Sequence, residues 1–192
     1  MRKPSTTGSS LSRSSAAVAD GGLLIDVTVR NLAGHKLPTA YPSRRVWIRI
    51  AVRDDDEGVI FASGDPAPDG SIPGNDNDAD PRRYEPHHAE ISSPDQVQVY
   101  EAIMAGPDGE VTTGLLSAVR FIKDNRLLPS GFDKATADED IAVRGQAEVD
   151  ADFTGGSDTT RYALPLGAAD GPFTIQVELW YQPIGYRWAQ NL

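Results

Sequence analysis

Few side chains in these 192 residues have types and spacing that suit them to chemistry, and three of them are histidines, His35, His87 and His88. An imidazole can ligate a metal or a haem iron, or carry a proton near neutral pH. His35 stands in the turn-rich run Gly34-His35-Lys36-Leu37-Pro38-Thr39, where Gly34 and Pro38 would fix its loop. It is the stronger candidate for holding a cofactor. His87 and His88 are adjacent, and neighbours on extended backbone point to opposite sides, so one ion seldom takes both. The plainer reading is that each histidine hydrogen-bonds its own loop. A second candidate is Gly74-Asn75-Asp76-Asn77-Asp78-Ala79-Asp80. Its alternate carboxylates, Asp76, Asp78 and Asp80, could converge on a hard cation as the first half of an EF-hand loop does. An EF-hand needs Gly at the sixth position and a carboxylate at the twelfth, where this chain has Pro81 and His87. The expectation is therefore a Ca²⁺ site at Asp76, Asp78 and Asp80 closed by backbone carbonyls, against the alternative of a solvated acidic loop. The other acidic groups, Asp133, Asp138, Glu139 and Asp140, then Asp150 and Asp152, read as surface.

Three cationic and aromatic features complete the set. Arg44-Arg45 precedes Trp47, so one guanidinium could meet a buried carboxylate or an aromatic face, against the plainer reading of positive charge at a strand edge. Lys123-Asp124-Asn125-Arg126 reads as an ordered polar network. Near the C-terminus, Trp180, Tyr181, Tyr186 and Trp188 crowd together; exposed, they would stack a ligand, and buried, they would close a core. Catalytic signatures are missing: there is no G-x-S-x-G, H-E-x-x-H, P-loop or G-x-G-x-x-G. A non-enzymatic chain is expected.

The elements that must position these residues are mostly strands. Stretches 23–29, 45–52, 59–62, 96–104, 141–153 and 173–181 alternate apolar and polar residues, the period of half-buried strands. Only 112–121 clusters its apolar residues as a helix would. With 18 Gly and 14 Pro the chain is rich in turns. No 30-residue βαβ rhythm is present, so the expected fold is all-β, an antiparallel β-sandwich with long loops and one short helix. Residues 1–21, Ser-rich and poor in large apolar groups, read as a flexible linker or tail, and 22–192 as the sandwich domain. The loops 64–95 and 123–140 are long enough to expect function or an ion there.

Composition narrows the function further. Twenty-eight acidic against 18 basic residues give a formal net charge of −10, which argues against sequence-independent nucleic-acid binding. No apolar run approaches the ~20 residues of a membrane span. Zero Cys excludes disulfides, thiolate metal sites and the C-x-x-C-H attachment of c-type haem.

Gly34-His35-Lys36-Leu37-Pro38-Thr39 followed by Arg45-x-Trp47 resembles the opening of the C-terminal β domain of multihaem c-type cytochromes. The likeness extends in order through Gln96-Val97-Gln98-Val99-Tyr100-Glu101, Lys123-Asp124-Asn125-Arg126-Leu127-Leu128-Pro129 and Tyr181-Gln182-Pro183-Ile184-Gly185-Tyr186-Arg187-Trp188. It covers roughly residues 23–192. Two departures stand out: Ala40 replaces the usual glycine, and no C-x-x-C-H is present. The resemblance implies a non-catalytic accessory β domain of extracytoplasmic electron transfer, periplasmic or extracellular. Its partner would be a multihaem cytochrome region or subunit, and His35 would contact a haem that the partner supplies. The second reading is a carbohydrate- or ligand-binding sandwich, calcium-stabilised, with Trp180, Tyr186 and Trp188 as its platform.

Overall fold

In the computed structural model, residues 9–19, 21–167, 169 and 171–191 are described. The strands are β1 (Ser9–Ala19), β2 (Gly22–Asn31), β3 (Arg45–Arg53), β4 (Val59–Ser63), β5 (Glu90–Ile91), β6 (Val99–Tyr100), β7 (Ala102–Ala105), β8 (Val111–Thr112), β9 (Arg120–Asp124), β10 (Ser157–Pro165) and β11 (Thr174–Gln182). Two single-turn helices, α1 (Asp76–Ala79) and α2 (Tyr186–Ala189), join them. One sheet runs β1-β2-β10-β5 and a second β11-β3-β4, with β6 also paired to β3. A three-stranded sheet, β8-β7-β9, stands beside them. All pairings are antiparallel except β10 with β5. The chain is an all-β sandwich-like fold.

The period-two pattern explains the core. Leu23, Ile25, Val27 and Val29 of β2 face Val46, Ile48, Ile50 and Val52 of β3, joined by Tyr162 and Leu164 from β10. Strand β3 is buried on its other face too. There Trp47 packs with Ile72, Val97 and Val99 under the long 64–95 loop, and Trp180 leans on it from β11. The Trp47 indole donates to the Gly64 carbonyl at 2.9 Å. Gly64 holds φ at +79°, and a Cβ there would lie 2.5 Å from the Ile48 carbonyl oxygen, which the sheet holds in place. Gly64→Ala is expected to destabilise by about 1–3 kcal/mol from the backbone conformation alone, with the contact adding to it; a urea titration reads the difference.

Several expectations are corrected. Residues 112–121 are not helical: after β8 the chain turns through 113–118 and enters β9. The clustered leucines lie on that turn, with Leu115 and Leu116 exposed. The 96–104 strand is broken at Glu101 into β6 and β7. Here the Glu101 amide turns to the Asn125 side chain. The 141–153 stretch is not one strand: a 3₁₀ turn, Glu139–Ile141, ends at its first residue, a second spans Gln146–Glu148, and Gly145 at φ +81° interrupts extension. Within the stretch expected to be a linker, Ser9–Ala19 pairs along the length of β2. Strand pairing uses backbone groups that every residue has, so small side chains do not forbid it.

Candidate functional site

The acidic loop is built differently from a cation cage. Asp78 reaches across to Arg45, whose Nη1 and Nη2 donate to its two oxygens at 2.8 and 2.9 Å. Both side chains are 3% exposed. Asp78 also accepts the Ile72 amide at 2.7 Å, and the Arg45 guanidinium lies 5.8 Å from the Trp47 ring. This pair ties the 64–95 loop to β3. Asp76 pairs instead with Arg83, and Asp80 with Arg82. The three carboxylates are thus directed to three different arginines rather than to one point.

Asn31, itself buried, builds the loop that carries His35. Its amide donates to the carbonyls of His35 and Leu127 at 2.7 and 2.9 Å, and its oxygen accepts the Ala33 amide. Leu37 and Leu127 exchange two backbone hydrogen bonds. The His35 ring is exposed, with Nδ1 2.9 Å from the Lys36 carbonyl. A carbonyl accepts only, so Nδ1 carries the proton and the lone pair of the neutral ring lies on Nε2. Beside it, Lys36 and Arg126 both hold Asp124. Burial lowers the Lys36 ammonium from its ordinary pKa, against the pull of Asp124.

The C-terminal aromatics do not form one platform. Trp180 packs on Trp47 at 6.1 Å, while Trp188 tilts against Tyr41 at 5.6 Å. All three rings of the expected platform are partly buried.

His87 enters a buried network that sequence spacing did not assemble. Its Nε2 lies 3.0 Å from Asp150 Oδ2 and 3.7 Å from Asp158 Oδ1, so Asp150, expected at the surface, belongs to this cluster. The three offer ligand atoms within 4.8 Å of one another. The hydrogen bonds around the ring decide what this cluster can do. Gln98 Oε1 accepts the His88 amide, and Asn125 Oδ1 accepts the Glu101 amide. Both side-chain NH₂ groups must therefore face His87 Nδ1, which they meet at 3.0 and 3.1 Å. Nδ1 is an acceptor, and the proton sits on Nε2, directed at Asp150. An ion at Nε2 would have to displace that proton with no place for it on Nδ1, so the arrangement suits a proton-bearing network better than a metal centre. The His87 hydrogen bond holds the Asp150 carboxyl below its ordinary range. Burial pushes Asp158 up, against His87, Tyr100 and Gln98.

The exposed apolar surface gathers elsewhere. A groove of about 870 Å³ is lined by Tyr41, Arg44, Leu115, Leu116, Ile184 and Trp188. Leu115 also lines a hollow of about 550 Å³, and Phe121 and Asp140 connect that hollow to one of about 510 Å³ beside His35. Tyr41, Leu115, Leu116, Val119, Ile141 and Ile184, all large and exposed, line this continuous face. Contiguous exposed apolar surface marks an interaction site. The face is assembled from the loop after β2, the 113–118 turn, the 126–144 segment and the chain around α2, so no single stretch of sequence announces it.

No family model and no curated protein matches the chain. Among solved structures, the fold is similar to a penta-heme cytochrome c552 from Thermochromatium tepidum, with 15% identity and a TM-score of 0.55. The match covers 93% of this chain but only 33% of that one, so the chain spans about a third of the cytochrome's length.

Proposed function

We propose that the chain is a non-catalytic accessory β domain that docks onto a haem-bearing region or subunit of a multihaem c-type cytochrome in extracytoplasmic electron transfer. The observation that carries the reading is the continuous exposed apolar face, on a fold similar to part of a penta-heme cytochrome. With no cysteine of its own, the chain would leave covalent haem attachment to the partner. His35 lies on the same face, and a ligating imidazole commonly donates its other N–H to a carbonyl, as His35 does here. It is the group we assign to a partner's haem iron. The carbohydrate-binding alternative loses its platform with Trp180 and Trp188 packed on separate neighbours.

The test is calorimetric titration of this chain against the C-x-x-C-H-bearing polypeptide encoded in frame with it or beside it. Saturable 1:1 binding is expected, weakened at least about tenfold by Leu115→Asp/Leu116→Asp, a loss in the range of interface anchors. Both leucines are exposed, so the melting temperature should hold. His35→Ala should alter the complex's haem absorption while leaving its affinity nearly intact. Absence of binding, or binding indifferent to the leucine pair, overturns the docking reading. An unchanged haem spectrum removes the role of His35.

A further inference from the structure

The docking face differs in charge from the rest of the molecule. The protein as a whole is acidic, at −10. Yet the three connected hollows are lined by Lys36, Arg44, Arg120, Arg126 and Arg144, against only Glu139 and Asp140. Not all five cations are equally available. Lys36 and Arg126 share Asp124 behind them, a pair of cations on one carboxylate. Arg144 meets Glu139 at 3.4 Å. Arg44 donates to the Thr39 hydroxyl, a neutral partner. Arg120 is exposed on β9, next to the hairpin turn that carries Leu115 and Leu116. Even with Asp124 included, five cations face three carboxylates.

Resting on the docking reading above, we infer that the partner surface is acidic as well as apolar, with Asp and Glu side chains opposite Arg44, Arg120 and the Lys36–Arg126 pair, around an apolar slot for the leucine turn. Complementary charge orients an encounter and suppresses wrong partners more than it adds affinity. The arrangement is therefore a selectivity device: an acidic protein meets an acidic partner through this basic apolar face, and its net charge of −10 opposes other approaches. The spread of the cations selects the source of the partner's charge. They are distributed over all three hollows, whereas the two carboxylates of a single haem would answer only one of them.

The experiment uses the same haem-bearing polypeptide as titrant and compares two charge reversals of equal net change. Arg120→Glu lies on the face. Arg30→Glu is exposed on β2, away from the residues lining the three hollows. Arg120→Glu is expected to raise the dissociation constant about tenfold, chiefly through slower association at low salt, while Arg30→Glu changes it less than about twofold. Thermal melts of both variants should match the wild type. Equal effects of the two reversals, or tighter binding by Arg120→Glu, overturn the inference. If the leucine pair abolishes binding while Arg120→Glu does nothing, the docking face stands and the acidic partner falls. A loss confined to Arg44→Ala, with Arg120→Glu silent, assigns the contact to a single carboxylate pair and also overturns the acidic protein surface.

Discussion

Asp78→Ala will lower the unfolding free energy by about 3–5 kcal/mol, the cost of leaving one member of a buried ion pair without its counter-charge. Arg45 and Asp78 are each 3% exposed and joined by two hydrogen bonds. Removing the carboxylate strands the guanidinium against Trp47 and also deprives the Ile72 amide of its acceptor. The neighbouring carboxylates set the contrast. Asp76 and Asp80 pair with arginines that are 62% and 77% exposed, and solvent screens such pairs. Asp76→Ala and Asp80→Ala should leave the urea midpoint close to that of the wild type. A shared Ca²⁺ site would give a different result: all three substitutions would destabilise together, and added Ca²⁺ would raise the midpoint of the wild type alone.

Trp47→Ala should have an effect of comparable size, about 3–5 kcal/mol for emptying a large aromatic site. Trp47 is wholly buried between β3 and the long loop, against Ile72, Val97 and Val99. Trp47→Phe separates the two parts of the effect. It keeps much of the volume but leaves the Gly64 carbonyl without the indole N–H, for about 1–3 kcal/mol. Because Trp180 leans on the same ring, the emission of Trp180 should move toward longer wavelength in the alanine variant. A loss of under about 1 kcal/mol of unfolding free energy would show that the loop collapses into the vacated space.

The strands legible in the sequence are those whose inward face is apolar throughout. Alternation over 23–29, 45–52, 59–62 and 173–181 corresponds to β2, β3, β4 and β11. Strand β10 escaped because its buried face begins with Asp158 and Thr160 before reaching Tyr162 and Leu164. Polar residues turned inward erase the hydrophobic period, and that erasure was itself the mark of the His87 network. Asp150, 63 positions from His87, could not be paired with it from spacing. Arg44-Arg45 before Trp47 left open both a guanidinium buried against a carboxylate and a plain charge at the strand edge; the fold buries Arg45 against Asp78, a residue expected to bind calcium, and sets Arg44 on the Thr39 hydroxyl. The leucines at 115 and 116 were visible as apolar but assigned to a helix, since clustering does not distinguish a helix face from an exposed turn. Their position against Arg44 and Trp188 is a property of folded loops.

Strand β1 closes one side of its sheet, bonded to β2 and, among the described residues, to no strand on its far edge. Residues Ser15 to Ala19 are exposed, and Leu11 packs on the core from the other half of the strand. Its hold is therefore graded along its length. Amides of Ser15 to Ala19 that bond to β2 will take up deuterium through local fraying, while those of β2 paired to β10 wait for opening of the whole sheet. The same gradient makes 15–19 a stretch that a protease could lift from β2 in the folded protein, and none of these residues lines the hollows around Leu115 and Leu116.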